Sequence, residues 1–267
     1  MLVFEEQLKQ KLMKQTLFIL TILITLAACN RDYPVHMDTA GTANNAFLKV
    51  VHVSPSFKTI FNQPDSINVF VGGSKVNGTV LTYNTAFPGV ANMYSAVPAG
   101  DQTIRLSLNG VATADSITLV TLNKTLAAGS YYTLAITDSI NSARDSSRIW
   151  LMDAYPSPDP GPGYCFVRLI HTVLNDTAGK TVDLYSARRN QVIVSKVPMG
   201  AATAFTAIPT QLNITDTLSV RRSGTTTVLA SLPSVVLGDQ RYYTLFYTGN
   251  TNLTGAKGKS LVSYIYR

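Results

Sequence analysis

The chain has 267 residues, a formal net charge of +7 and only 14 % charged residues. Its only glutamates are Glu5 and Glu6, whereas Thr, Ser, Val, Tyr, Gly and Pro are plentiful, a mixture that favours strands and turns over helices. Basic residues are scattered, with Arg188-Arg189 and Arg221-Arg222 the only adjacent arginine pairs, and this excludes a nucleic-acid groove of the usual basic and aromatic kind.

In chain order, the first element is an export signal. Met13-Lys14-Gln15 precedes an apolar run from Thr16 to Thr25, and Leu26-Ala27-Ala28-Cys29 forms a lipobox. A basic start, a short apolar stretch and small residues before a cysteine suit lipoprotein processing, and the run is shorter than the roughly 20 residues of a spanning helix. The expectation is a signal peptide over 1–28, with Met13 as an alternative start, and a diacylglycerol on Cys29. Residues 29–45 become a lipidated polar tether. Cleavage leaves about 240 residues of net charge about +6. The membrane is then a partner through the lipid, and the location is the cell envelope. Asn30, in place of an aspartate after the lipidated cysteine, favours the outer membrane. Export makes nucleic acid an unsuitable partner, and an anionic surface polymer or headgroup is the natural counter-charge.

With Cys29 acylated, Cys165 alone remains, so no internal disulfide forms. It sits in the apolar run Tyr164 to Ile170 and reads as a buried small hydrophobe.

Strands are expected at 47–53, 67–71, 79–83, 103–108, 117–122, 131–137 and 148–152, punctuated by Gly72-Gly73, Asn109-Gly110 and Ala128-Gly129. Ile104-Arg105-Leu106-Ser107-Leu108 alternates strictly, as a strand does with one face in a core and one in water. Alternate prolines in Tyr155 to Gly163 then disfavour both helix and ladder and mark a semi-rigid linker.

Beyond the linker the pattern repeats. Val50-Val51-His52 returns as Leu169-Ile170-His171, Ile67 to Phe70 as Val182 to Tyr185, Ala96-Val97-Pro98 as Ala207-Ile208-Pro209, and Tyr131-Tyr132-Thr133-Leu134 as Tyr242-Tyr243-Thr244-Leu245. The fold expected is all-β: two tandem immunoglobulin-like or transthyretin-like antiparallel sandwiches, at 46–153 and 164–267, joined by a linker at 154–163.

These motifs behind a lipobox resemble the exported lipoproteins of Bacteroidetes that carry domain of unknown function 4397, here in two copies. Val53-Ser54-Pro55 keeps the core of that family's His-x-Ser-Pro-Asp-Ala-type segment; Ser56-Phe57 departs from it, and Thr172-Val173 replaces it in the second copy. The resemblance implies a β-sandwich and an envelope location, with no established activity.

Little in the sequence commits to chemistry. His52 and His171 occupy equivalent positions, but neither has a second ligand at metal spacing, so both read as structural and no metal or cofactor is expected. Nucleophile elbow, zinc-protease, phosphate-loop and calcium-loop motifs are missing, and no catalytic residue is assigned. One tripeptide recurs: an aspartate, a hydroxyl residue and an aliphatic residue, with hydroxyls at Thr39, Ser66, Ser116, Ser139, Thr177 and Thr217. It resembles the O-glycosylation acceptor of exported Bacteroidetes proteins, and strands starting after turns give the same pattern. Two functions fit: a non-catalytic binding or adhesion module for a glycan or envelope protein, in which one ring of each Tyr-Tyr pair is free to stack on sugar, and a scaffold without a ligand pocket. A hydrolase with an unrecognised site is the third.

Overall fold

The structure is a computed structural model describing residues 44–55, 66–90, 93–108, 118–137, 149–153, 160–173, 175–176, 180–210 and 214–266. The leader, Cys29, Thr39, Ser116, Ser139, Thr177 and most of the proline linker lie outside these residues. Everything described belongs to one compact unit, Gly41–Arg267.

That unit holds two sandwiches. In the first, β1 (Asn45–His52), β5 (Thr85–Phe87), β6 (Ser95–Pro98), β9 (Tyr131–Ile136) and β10 (Ile149–Asp153) make one sheet. The facing sheet is β2 (Ser66–Val71), β3 (Ser74–Lys75), β4 (Leu81–Thr82), β7 (Gly100–Leu108) and β8 (Thr118–Leu126). In the second sandwich, β11 (Tyr164–His171), β14 (Thr206–Pro209), β17 (Tyr242–Thr248) and β18 (Ser260–Ile265) face β12 (Thr181–Ser186), β13 (Gln191–Pro198), β15 (Thr215–Arg222) and β16 (Val228–Val236). Among the described residues the only helical element is a 3-10 turn at Gly255–Lys257.

Alternation places each strand. Leu48 and Val50 of β1, Leu134 and Ile136 of β9, and Ile104 and Leu106 of β7 meet in the first core, each fully buried. At roughly 1.5–3 kcal/mol per buried aliphatic side chain, such contacts dominate the stability of the sandwich. Leu169, Leu184, Val220 and Leu245 do the same in the second. Gly72 and Gly73, at φ of +56° and +85°, turn β2 into β3 as a tight hairpin needs, because only glycine adopts two successive positive φ values cheaply.

The two halves share one register. Phe47, Lys49 and Val51 lie beside Tyr131, Thr133 and Ala135; Phe166, Arg168 and Ile170 lie beside Tyr242, Thr244 and Phe246. Both of these pairings are parallel, which corrects the expectation of purely antiparallel sheets. The chain leaves this sheet after β6, makes the β7–β8 hairpin in the facing sheet and returns as β9, a crossover long enough for a parallel neighbour. Two further details differ from expectation. Of Thr79 to Tyr83 only Leu81–Thr82 is strand, and Ser107, expected in water, is fully buried.

The odd face of β1 is also buried. Val51, Val53 and Ala135 of the first half pack with Ile170 and Phe246 of the second, and the Thr248 hydroxyl donates to the Val53 carbonyl at 2.8 Å. The sandwiches therefore dock through the outer faces of their β1 and β11 sheets.

Candidate functional site

The tyrosine pairs are the first candidates, and they are occupied. Tyr132 packs against the first core and its hydroxyl accepts from the Ala127 N–H at 3.0 Å; Tyr243 lies in the second core, accepting from the Gly238 N–H at 2.7 Å. Their alternates point the other way, to where the halves meet. Tyr131 stacks on Phe47 at 4.7 Å between ring centres and meets Tyr94 edge-on at 4.9 Å, while Tyr242 is fully buried against Phe166 and Phe205. The expectation that one ring of each pair serves a ligand is corrected for this reason: the outer sheet face carries the other half of the protein. Lys49 closes the same cluster, 2 % exposed, donating to the Val90 carbonyl at 2.7 Å with the rings of Tyr94 and Tyr266 at 5.6 and 5.7 Å. Burial brings its ammonium down to about 8.

The second candidate surrounds His171. Fully buried at the end of β11, it lies 3.5 Å from a carboxylate oxygen of Asp176, whose other oxygen accepts from Arg222 of β15 at 2.7 Å; the Tyr247 ring is 4.9 Å away. Sequence spacing gave no acid beside His171. The loop after β11 returns Asp176 to it, and strand pairing brings Arg222 and Tyr247. In the first half the equivalent His52 is equally buried, and its Nδ1 accepts from the Ser54 N–H at 3.3 Å. Burial, with Arg222 adding to it and Asp176 opposing, holds His171 down at about 4. This closed cluster ties one loop to three strands, and His171 is neutral at physiological pH.

A pH dependence follows. An unfolded histidine titrates near 6.5, so above that pH the His171 contribution is complete. Between pH 6.5 and 4 the unfolded chain takes up a proton that the folded one refuses, and stability falls by up to about 3 kcal/mol. Urea unfolding across this range should show a shallower decline in His171→Gln than in the parent; equal slopes would refute the assignment.

The recurrent tripeptides also resolve in part. Asp176 is the acid just described. Asp216 accepts from Ser186 Oγ, from the Arg188 N–H at 3.0 Å and from Arg189 Nη1 at 2.8 Å, leaving Thr217 half-buried in β15. Ser66 starts β2 at 5 % exposure, so its hydroxyl is closed off in the folded domain. Cys165 is fully buried, and burial pushes its thiol up to about 12, as befits a packing residue.

The third candidate is open. At the end of the β7–β8 ladder lies a recess of about 460 Å³ lined by Asp101, Gln102, Thr103, Asn123, Lys124 and Thr125. These are three consecutive cross-strand pairs: Asp101 with Thr125, Gln102 with Lys124, Thr103 with Asn123. Thr125 Oγ1 donates to Asp101 Oδ1 at 2.6 Å, Thr103 Oγ1 donates to Asn123 Oδ1 at 2.9 Å, and Gln102 Nε2 donates to the Ala99 carbonyl at 3.1 Å. The side chains are thereby fixed while still offering both donors and acceptors. Sequence reading passed over them because threonines, an asparagine and a lysine on a strand look like an ordinary wet face. Comparison of the two halves carries the signal: the same ladder positions in β16 are Val235 and Val236, opposite Asp216 and Thr215.

Fold and site together define a two-sandwich β protein whose described residues hold a closed histidine cluster and a polar recess, with no group of three or more metal-ligating side chains among them. Residues 46–178 match the family described as Domain of unknown function (DUF4397). None of the curated proteins matches the sequence. Among solved structures, a carbohydrate-binding module of Eubacterium rectale in complex with maltoheptaose shows 10 % identity over 82 % of this chain and 96 % of its own, at a TM-score of 0.21. A protein of Bacteroides thetaiotaomicron described as a polysaccharide-binding candidate shows 11 % over 83 % and 98 %, at 0.23. A cell-adhesion candidate of Parabacteroides distasonis shows 9 % over 84 % and 100 %, at 0.22. At these scores the likeness carries no weight for site or ligand.

Proposed function

We propose that the chain is a cell-envelope lipoprotein, held at the membrane by lipid on Cys29, whose paired sandwiches act as a non-catalytic binding or adhesion module. The lipobox supports the anchor. The matching registers of β1 with β9 and β11 with β17 support a second copy of the same domain over 164–267. What carries the binding reading is the recess: it is open and polar, while the histidine cluster is shut inside the fold. No catalysis, cofactor or nucleic-acid partner is assigned. The scaffold reading draws on the docked halves, which make one firm body with its aromatic face already used.

Sedimentation of lipid-free protein, residues 30–267, with isolated cell envelopes separates the two. Saturable binding that unlabelled protein competes away is expected. Linear uptake without competition would favour the scaffold.

A further inference from the structure

We infer that the β7–β8 recess is a binding site for an uncharged, hydroxyl-rich glycan, held by fixed hydrogen bonds and not by aromatic stacking. This rests on the binding-module reading and gives it a location and a ligand class.

The first argument is chemical. The lining offers one carboxylate, one ammonium, two hydroxyls and two carboxamides, and no aromatic side chain. After the internal bonds, Asp101 keeps its second oxygen as an acceptor and Asn123 its amide N–H groups as donors on one strand face, while Lys124 is exposed at the Gln102 row between them. Vicinal hydroxyls both donate and accept, so a carboxylate and a carboxamide on one strand face can bracket them. On the strand face that Asp101 shares with Arg105 the two charges balance, which removes any bias towards an anionic polymer.

The second argument is comparative. The β15–β16 ladder of the second half forms the same strands in the same place, yet its counterparts to Thr125 and Lys124 are Val236 and Val235. The counterpart of Gln102 is Asp216, committed to Ser186 and Arg189. The β15 side therefore stays polar, at Thr215, Asp216 and Thr217, and the two halves differ on the outer strand alone. Where the second half carries two valines, the first carries Lys124 and Thr125, and with Asn123 these give the β8 side its donors and acceptors.

The third is geometric. Asp101, Thr103 and Arg105 alternate onto one face of β7, across from Thr125, Asn123 and Thr121 of β8. Those three rows span about 14 Å of strand, enough for a short oligosaccharide lying along the ladder. Arg105 fixes the far end: its guanidinium covers the Phe70 ring at 4.9 Å and donates to Thr118 Oγ1 at 3.1 Å, so that ring is already capped.

The test is a printed panel of neutral hexose and pentose oligosaccharides, with heparin and polygalacturonate as anionic arms, probed with lipid-free residues 30–267. The strongest hit is then titrated against Asp101→Ala and Asn123→Ala, with Thr215→Ala in the second half as control. Expected is binding to a neutral glycan that weakens about tenfold or more in each recess variant and is unchanged in the control, the loss of one charge-assisted or amide hydrogen bond. Binding that both recess variants retain would overturn this site and leave the module reading standing. Binding confined to the anionic arms would overturn the ligand class, and a blank panel from folded protein would overturn both the site and a glycan as the module's ligand.

Discussion

Gly249→Ala is expected to be among the most damaging single substitutions in the chain. Gly249 follows β17 at a φ of +106°, and a Cβ there would sit 2.0 Å from the Gly258 carbonyl oxygen and 2.9 Å from Lys259 Cα. Both obstacles are backbone. Neither can rotate aside, and moving them breaks the Asn250 N–H bond to the Lys257 carbonyl that closes the β17–β18 connection. Positive φ and backbone overlap together place the cost at about 3 kcal/mol or more, a fall in melting temperature of roughly 6–12 °C for a chain of this size. A variant melting within a degree of the parent would show that the connection is not packed as described.

Phe246→Ala is the second. Its ring is fully buried where the halves meet, among Val51, Ala135 and Ile170, with Tyr264 edge-on at 5.7 Å. Emptying such a site costs about 3–5 kcal/mol. Its neighbour Leu245, on the opposite face of β17, belongs to the second core alone, and Leu245→Ala costs a comparable amount. The two differ in where the damage is felt. Hydrogen exchange should quicken in β1 and β9 of the first half in Phe246→Ala, and stay near the parent rate there in Leu245→Ala. Unchanged first-half exchange in both would mean that the halves are stable independently.

Strand positions were legible where apolar residues ran long enough to declare a period, as in β1, β2, β7 and β9. Three-residue β5 and four-residue β6 were not: Thr85–Phe87 and Ser95–Pro98 become strands because β1 pairs with them, a tertiary cause no local window contains. The docking of the halves left a mark that alternation alone does not explain. Val50-Val51-His52-Val53 is buried residue after residue, the pattern of a strand covered on both faces. The sequence named the histidine of the buried cluster and missed its partners, since Arg222 lies 46 positions from Asp176 and nothing local joins them. The recess shows in the difference between the two halves, Lys124-Thr125 against Val235-Val236, and either half alone would have hidden it.

The docked interface sets Val51 and Ile170, Ala135 and Phe246, Lys49 and Arg168, and Tyr131 and Tyr242 at corresponding register positions in the two halves. Two separate identical subunits meeting this way would suffer every mutation twice, once on each side of their shared axis. Joined in one polypeptide, each position changes alone. An alanine can shrink opposite a phenylalanine that grows, and a lysine can part from an arginine. The same freedom reaches the outer ladders, where Lys124 and Thr125 of one half stand at the register positions of Val235 and Val236 in the other. One continuous chain is what lets the two halves diverge side by side.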